Sequence, residues 1–301
     1  MLTAPDSRCG RRQPGPSERE LGTAGRMGTM RPPDNHVHTG WSWDTPSSVT
    51  MARACERALA QGLPAIAFTE HLDFTVWGPD DRATTLGLVD RHASRHQPID
   101  TEGYWAELAE VRERFPELRI WSGVEAGEPH LFSASVAAHL RDAPVDRVLG
   151  SLHSLYEGGR LYGVGQLLYT DADGTMRRYL AEVVDMVESS GVFQVLAHVD
   201  FPRRYWPGGS HRYVEKDYEE EYRAVFRALA GTGRALEVNT SSPLASADQV
   251  RWFREEGGEA VSFGSDAHQP AAVGQRFDLA VDVVEAAGFR PGRDRFDFWR
   301  R

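Results

Sequence analysis

The sequence predicts an α/β fold in which short strands and amphipathic helices alternate. From residue 32 onward, brief apolar runs are separated by longer segments whose apolar residues recur at helical spacing. This alternation is typical of repeated strand–helix units that build a parallel sheet. Seven strands are predicted, and six of them end beside an ionisable residue. Because no second domain boundary interrupts the pattern, we expect residues 31–301 to form one domain.

The predicted strands are a first strand ending at His38 and the runs 64–69, 119–125, 146–152, 194–197, 235–239 and 260–264. The run 64–69 is continuously apolar, as expected for a strand that is buried on both faces. The predicted helices cover about 48–60, 101–115, 134–140, 176–187, 214–230, 246–256 and 279–287, with N-caps at Ser47-Ser48, Thr101 and Ser246. A long polar segment, residues 72–100, has no period and is expected to be a binding loop. A Gly-rich loop is expected after His153.

Composition excludes several classes of protein. The formal net charge is −10, which argues against a nucleic-acid polymer as partner, since such binding depends on neutralising phosphates. A small phosphorylated substrate remains compatible with this charge. Cys9 and Cys55 are the only cysteines, so a disulfide framework is excluded and a cytoplasmic location is expected. No apolar run of about 18 residues occurs, so no membrane span is expected. The oligomeric state cannot be read from the sequence.

The first 30 residues differ in composition from the rest. They are rich in Gly, Pro, Ser and Arg and contain little that could be buried. We interpret residues 1–30 as a disordered leader, or as residues upstream of a later start at Met27 or Met30.

Candidate metal ligands recur at the ends of the predicted strands. His36 and His38 are two residues apart on the first strand, so both side chains face the same side, ~6.6–7 Å apart along the chain. In parallel α/β barrels the active site lies at the carboxyl ends of the strands. Six of the eleven histidines fall there, and the remaining five, His92, His96, His130, His139 and His211, are interpreted as solvated. The candidate ligands are His36, His38, Asp44, His71, Glu125, His153, His198, Asp266 and His268.

The chain resembles the polymerase and histidinol phosphatase (PHP) superfamily, most closely its histidinol-phosphate phosphatases, in a series of six motifs. These are Asp-x-His-x-His at 34–38, Thr-Glu-His at 69–71, Gly-Val-Glu at 123–125, Gly-Ser-Leu-His at 150–153, Ala-His-Val-Asp at 197–200 and Gly-Ser-Asp-Ala-His at 264–268. The resemblance covers about residues 32–290. It implies a distorted seven-stranded TIM-like (β/α)₇ barrel that holds two or three divalent ions at the carboxyl ends of its strands.

The resemblance also implies how the candidate ligands are shared. The first ion would be held by His36, His38, Glu125 and Asp266, and Glu125 would bridge to a second ion completed by His153 and His198. Asp44, His71 and His268 would hold a third ion, with Asp44 standing where some relatives have His. Imidazole and carboxylate ligands suit Zn²⁺, Mn²⁺ or Fe ions, and the sequence does not choose among them. Asp34, Glu70 and Asp200 are candidates for orienting the ligating histidines.

The sequence also offers candidate catalytic and phosphate-binding residues. Asp266 and His268 are the catalytic candidates among the ligands. Arg203 and Arg204 follow the strand that ends at His198, where one guanidinium could pair with phosphate oxygens. Arg160, in the expected Gly-rich loop, is a further candidate. Loop aromatics at 43, 77, 205 and 206 could form an apolar wall, and a carboxylate from the loop 72–100 is expected to pair with a substrate ammonium.

The predicted function is metal-dependent hydrolysis of L-histidinol phosphate to L-histidinol and phosphate, a step of histidine biosynthesis. Two alternatives remain open from the sequence. The same fold could act on another small phosphoester such as a nucleotide, or the barrel could be a metal-binding module without turnover. Every motif position carries a residue that could bind a metal ion, which argues against a module without turnover. The acidic net charge argues against a nucleic-acid polymer as substrate.

Overall fold

The computed structural model of the protein describes residues 31–74, 99–208, 212–241 and 243–301. The predicted leader, residues 1–30, lies outside the described residues. The same holds for residues 75–98 of the predicted binding loop, which include Trp77, His92 and His96, and for His211. The assignment of residues 31–301 to one domain stays a prediction.

The frame of the molecule is a sheet of seven parallel strands and one antiparallel strand. The strands in chain order are β1 (Asp34–Val37), β2 (Ala65–Leu72), β3 (Arg119–Gly127), β4 (Arg147–Ser151), β5 (Ser154–Glu157), β6 (Arg160–Gly163), β7 (Val195–Leu196), β8 (Ala235–Asn239), β9 (Ala260–Gly264) and β10 (Trp299–Arg300). The order within the large sheet is β1-β2-β3-β4-β7-β8-β9-β10, and β10 is its antiparallel member. All seven predicted strands are therefore present.

The sheet curls until its first and last parallel strands meet. The amide of His38 donates to the carbonyl of Ala267 at 2.9 Å, and the amide of Asp266 donates to the carbonyl of His36 at 2.8 Å. These bonds join the carboxyl end of β1 to the loop after β9. The predicted seven-stranded TIM-like barrel is confirmed, with β10 as an addition that the sequence pattern did not predict.

Helices cover the outer face of the curled sheet. They are α1 (Met51–Ala60), α2 (Thr101–Arg114), α3 (Ser133–Asp142), α4 (Val164–Leu167), α5 (Ala172–Ser189), α6 (Glu219–Gly231), α7 (Ala247–Glu255) and α8 (Phe277–Ala286). Short 3₁₀ helices occur at Phe201–Tyr205, Glu215–Tyr218 and Pro270–Ala272. Among the described residues, no helix has both the length and the apolarity needed to cross a membrane.

Two of the predicted N-caps are wrong by one to three residues. Thr50, rather than Ser47-Ser48, caps α1 by accepting from the amide of Arg53, and Asp100, rather than Thr101, caps α2 by accepting from the amide of Gly103. Ser246 caps α7 as predicted. Serine, threonine and aspartate all serve this role, so composition alone does not choose among neighbours.

Two strands extend further than predicted, and this extension places ligands side by side. β2 continues to Leu72 and β3 to Gly127. Backbone pairing between the two strands extends past the end of each apolar run and includes polar residues. In the parallel register His71 lies beside Glu125.

The predicted Gly-rich loop after His153 is wrong, since β5 and β6 form an antiparallel hairpin. Gly158 and Gly159, both with positive φ, make its turn.

The core lies between the sheet and the helices. All eight residues of β2 are buried, as the apolar run predicts for a strand covered on both faces. The helix α5 packs through Met176, Leu180, Val183 and Val187, all fully or nearly fully buried. This rigid frame leaves the carboxyl ends of the parallel strands open, and the candidate site lies there.

Candidate metal centre

The nine candidate ligands predicted from the sequence form one cluster at the carboxyl end of the barrel. His36 and His38, both fully buried, point inward from the end of β1, and their Nε2 atoms are 3.0 Å apart. Glu125, at 1% exposure, occupies the middle of the cluster. The remaining six side chains reach this centre from five other strand ends or loops.

Two imidazoles and two carboxylates of this cluster bring donor atoms close together at the end of β1. The Nε2 atoms of His36 and His38 each lie 3.4 Å from Glu125 Oε2. Their distances to Asp266 Oδ1 are 3.7 Å and 3.5 Å, respectively. Four ligand atoms at about 2.1 Å from one tetrahedral ion lie about 3.4 Å from each other. The spacing of these atoms therefore fits a single ion.

Hydrogen bonds select the ring nitrogens that face this centre. His36 Nδ1 donates to Glu237 Oε1 at 2.7 Å. His38 Nδ1 donates to Ser42 Oγ at 2.9 Å, whose hydroxyl donates to Glu70 Oε2 at 2.6 Å. With the proton on Nδ1, each Nε2 keeps its lone pair for an ion. Glu70 thus orients a histidine, as expected, although through a serine.

A second group surrounds the other oxygen of Glu125. His198 Nε2 is 2.7 Å and His153 Nε2 is 3.3 Å from Glu125 Oε1. The two oxygens of Glu125 thus face two different sets of imidazoles. This is the geometry in which one carboxylate bridges two ions.

A third group lies nearer the mouth of the site. Asp44 Oδ2 is 3.3 Å from His71 Nε2 and 3.0 Å from His268 Nε2. His71 Nδ1 also lies 3.1 Å from Glu125 Oε2, so this group joins the first. Ligand atoms of His71 and His153 also come together with Asp73, within 4.8 Å of one another. Asp73 is not among the nine ligands predicted from the sequence.

The cluster has a strong electrostatic coupling. Burial raises the pKa of Glu125, but the neighbouring His36, His153 and His71 outweigh it and hold that pKa well below its usual range. Burial lowers the pKa of His71, and the charges of Glu125 and Asp44 more than reverse this shift. Imidazole and carboxylate groups are also the ligands that zinc and similar divalent ions take in proteins. The donor set and its burial therefore fit divalent ions.

Asp266 is held by several elements. Its backbone has φ of 52°, a left-handed conformation that costs energy for a residue other than glycine. The preceding amide, of Ser265, donates to Asp34 Oδ1 at 2.9 Å, and Asp34 Oδ2 accepts from the amide of Gly274 at 2.9 Å. Asp34 therefore anchors the loop that carries Asp266, and it accepts from the backbone amide of His36 at 3.4 Å rather than orienting a ligating imidazole ring as expected.

The three candidate arginines occupy different environments. Arg204 lines the cavity, pairs with Asp266 and donates to Asn239 Oδ1 at 3.1 Å. Arg203 points elsewhere, since it pairs with Asp200 Oδ2 at 2.6 Å and lies over the ring of Tyr213. Arg160 is exposed on β6 and does not line the cavity.

The placement of Arg203 and Arg160 outside the cavity does not support their predicted phosphate contact. The pairing of Asp200 with Arg203 likewise does not support the expectation that this carboxylate orients a histidine.

A cavity of about 540 Å³ opens above the cluster. Trp43 and Tyr205 line it, as expected, whereas Trp206 packs against Tyr213 and Tyr218. His130, interpreted as solvated, is instead buried and bonded to Glu182 at 2.7 Å. The cavity is large enough for a small organic phosphate.

Several residues of the site were not predicted from the sequence. Glu237, buried on β8, accepts from His36 Nδ1 and from the amide of His198 at 2.8 Å. Asn239, two residues later on the same face, bonds Glu237 and Arg204. A carboxylate and an amide spaced by two on an otherwise apolar strand were the available signal, because that spacing places both on one face. Asp73, two residues after His71, follows the same spacing.

Comparison of the sequence with models of known protein families shows which family the chain belongs to. The PHP domain model matches residues 34–241. The chain belongs to the PHP domain family. The chain is 26% identical over 272 residues to a histidinol-phosphatase of Lactococcus lactis, covering 86% of this chain and 93% of that protein. It is 30% identical over 270 residues to a probable histidinol-phosphatase of Deinococcus radiodurans, covering 85% and 94%.

Solved structures of PHP proteins share the fold. The histidinol phosphate phosphatase of Lactococcus lactis, complexed with zinc, L-histidinol and phosphate, superposes with a TM-score of 0.71 at 24% identity, covering 87% of this chain and 95% of that one. A histidinol phosphatase described as putative, from Listeria monocytogenes, has a TM-score of 0.67 at 16% identity, covering 82% and 99%.

Proposed function

We propose that the protein is a metal-dependent phosphomonoesterase that hydrolyses L-histidinol phosphate to L-histidinol and phosphate. The observation that carries this proposal is the convergence of His36, His38, Glu125 and Asp266, in which each imidazole lies 3.0–3.7 Å from the other imidazole and from both carboxylates. Membership of the PHP domain family and the names of two full-length relatives point to the same activity.

We propose three ion sites with the ligands assigned above. His36, His38, Glu125 and Asp266 would hold one ion, and Glu125 with His153 and His198 a second. Asp44, His71 and His268 would hold the third. Ions of this kind lower the pKa of bound water and neutralise charge on a phosphoryl group. Zinc is our first candidate, because the Lactococcus lactis relative was solved with it and because imidazole and carboxylate suit it.

The remaining tasks fall to the side chains around the cluster. Arg204 has its guanidinium at the cavity and would bind a phosphate oxygen bidentately. Although burial opposes it, pairing with Arg204 and His36 keeps the pKa of Asp266 well below its usual range. Asp266 is thus held as a carboxylate, the form in which it could hold an ion and accept a hydrogen bond from the attacking water. His268, one-third exposed at the mouth, would act in catalysis as a ligand of the third ion, which would compensate charge on the leaving oxygen.

Phosphate release tests the proposal directly. We would compare L-histidinol phosphate with sugar phosphates and nucleotides, on metal-loaded protein and on protein treated with a chelator. We expect the highest kcat/KM for L-histidinol phosphate and loss of turnover on chelation. A nucleotide preferred over L-histidinol phosphate would overturn the substrate assignment. Turnover that survives complete metal removal would overturn the metal assignment.

A further inference from the structure

A buried histidine outside the ligand cluster lies against two carboxylates of one helix. His130 is in the turn between β3 and α3, and its side chain has no exposed surface. Glu182 and Asp185 are three residues apart on α5, so their side chains share one face of that helix. One ligand atom from each of the three residues lies within 4.8 Å of the other two. The turn and the helix thus bring one imidazole and two carboxylates together.

This group is separate from the cluster at the carboxyl end of the barrel. None of its three residues lines the cavity, and it shares no member with the other groups of close ligand atoms in the described part of the chain. The turn that holds His130 is fixed by its own hydrogen bonds. The amide of Leu131 donates to the carbonyl of Glu128 at 2.9 Å, and Ser133 Oγ donates to the carbonyl of Pro129 at 2.7 Å. The fold therefore sets the position of the imidazole.

One ring nitrogen of His130 is paired and the other is not. Nε2 lies 2.7 Å from Glu182 Oε1, whereas Nδ1 is buried and has no hydrogen-bond partner among residues 31–74, 99–208, 212–241 and 243–301. An unpaired nitrogen in the interior costs free energy, so a histidine that is buried for packing alone is expected to satisfy both. A single hydrogen bond to Glu182 does not account for the burial of this ring, and a bond to an ion would offset the cost.

The charges and the ligand types of the group favour a divalent transition-metal ion. Two carboxylates on neighbouring positions of one helix face repel each other, and a cation between them removes this repulsion. Imidazole with carboxylates suits zinc and similar ions, whereas Mg²⁺ and Ca²⁺ take oxygen ligands. Three protein ligands also leave one position for water.

We propose that His130, Glu182 and Asp185 form a site for zinc or a similar divalent ion, which fastens the turn after β3 to α5. Glu182 is 52 residues from His130 in the chain, so the ligands come together only in the folded state. An ion that binds the folded chain and not the unfolded one stabilises the fold. This inference does not depend on the proposed function, since none of its residues belongs to the catalytic cluster.

Zinc content tests the site directly. The variants are Glu182→Gln and Asp185→Asn, with Glu188→Gln as a matched control that removes an exposed carboxylate from the same helix. Each protein is equilibrated with free zinc at a concentration that saturates the wild-type protein, and bound zinc is counted by elemental analysis. We expect one ion fewer per chain in each variant and wild-type content in the control. Loss of a ligand should weaken zinc binding at this site by at least about 100-fold.

Thermal unfolding distinguishes an ion from a plain hydrogen bond between His130 and Glu182. The side chain introduced in Glu182→Gln keeps an oxygen that accepts from Nε2, so the chelator-treated variant should unfold close to the wild-type Tm. With zinc present, the wild-type Tm should exceed that of the variant, because only the wild-type protein has the additional site. An equal difference in Tm with and without zinc would indicate hydrogen bonding or packing alone and would overturn the proposal.

Activity separates this site from the catalytic cluster. At saturating zinc, kcat/KM for L-histidinol phosphate is expected to be the same in Glu182→Gln and in the wild-type protein. The ion count and the Tm remain informative when that ester is not hydrolysed. The same number of ions in the wild-type protein and in both variants refutes the site. Loss of an ion in Glu188→Gln refutes it too, because this would indicate binding to exposed acids in general. A large fall in kcat/KM would assign the lost ion to the catalytic cluster instead.

Discussion

Replacing Glu237 by glutamine tests how the ligand cluster is held. Glu237 is 2% exposed. Its Oε1 accepts from His36 Nδ1 at 2.7 Å, while its Oε2 accepts from the amide of His198 at 2.8 Å and from Asn239 Nδ2 at 3.0 Å. Every contact of this carboxylate is thus with a donor.

Glutamine has the shape of glutamate but carries two donors on one terminal atom. If its NH₂ group faces His36, the imidazole must move its proton to Nε2 and loses its lone pair for an ion. If the NH₂ group faces the other way, the amide of His198 and the side chain of Asn239 lose their acceptor. Either orientation disturbs a histidine of the first or the second proposed ion.

Loss of such a supporting contact lowers metal affinity about 10- to 100-fold, which is about 1.4–2.7 kcal/mol per affected site. We expect Glu237→Gln to weaken the ions at His36 and His198 and to leave the ion at Asp44, His71 and His268 unchanged. At limiting metal, kcat/KM should fall by a similar factor and recover with excess metal.

Competition with a chromophoric chelator measures the affinities, and kinetics with L-histidinol phosphate measures the activity. Glu255→Gln is the matched control, since Glu255 pairs with Arg223 on the outer surface. Wild-type affinity at every site in Glu237→Gln would refute the reasoning. Equal weakening of all sites would refute it too, because it would indicate general unfolding.

Three further predictions concern single residues. His153→Ala removes a ligand next to Glu125 Oε1, so we expect one ion fewer per chain by elemental analysis and a kcat lower by at least about 100-fold. Arg204→Ala should raise KM for phosphate esters about 10- to 100-fold, whereas Arg203→Ala should change KM less than about threefold. Burial, together with Glu107 and Glu56, raises the pKa of Cys55 to about 12, so in a Cys9→Ala variant the remaining thiol should react with a thiol reagent at pH 8 only after unfolding.

Each of these predictions can be contradicted by its own measurement. Near wild-type turnover in His153→Ala would exclude the bridged arrangement around Glu125. A larger rise in KM for Arg203→Ala than for Arg204→Ala would reverse the assignment of the phosphate-binding guanidinium. Rapid labelling of Cys55 in the native state would contradict its burial on the inner face of α1.

Much of the barrel follows from local patterns. The strand β9 begins and ends where its apolar run does, and Ser246 caps α7 as predicted, because both depend on neighbouring residues alone. The boundaries of β2 and β3 depend on pairing with other strands, so the sequence pattern stopped them before Leu72 and Gly127. The sequence pattern did not predict the hairpin β5–β6. Apolar and polar residues alternate only weakly along these strands, and the glycines between them indicated a loop.

The candidate ligands were recognised through their own chemistry. His36 and His38 are spaced for one strand face, and the ends of parallel strands meet at one edge, so convergence was expected before any distance was known. Local spacing also grouped His71 and Glu125 with the site, although it could not place them side by side. That neighbourhood arises from the register of β2 against β3.

The chain's residue pattern was sufficient for the α/β class, the seven parallel strands and the set of imidazoles and carboxylates at their ends, because strand periodicity and ligand chemistry are local properties. The roles of Arg203 and Arg204 could not be separated in this way, since adjacent residues differ only in which partner the fold brings near: Asp200 for one, Asp266 and the cavity for the other. Glu237 and Asp73 gain their significance in the same manner. Each is an ordinary acid in the sequence, and contacts across 39 and 30 residues make it part of the site.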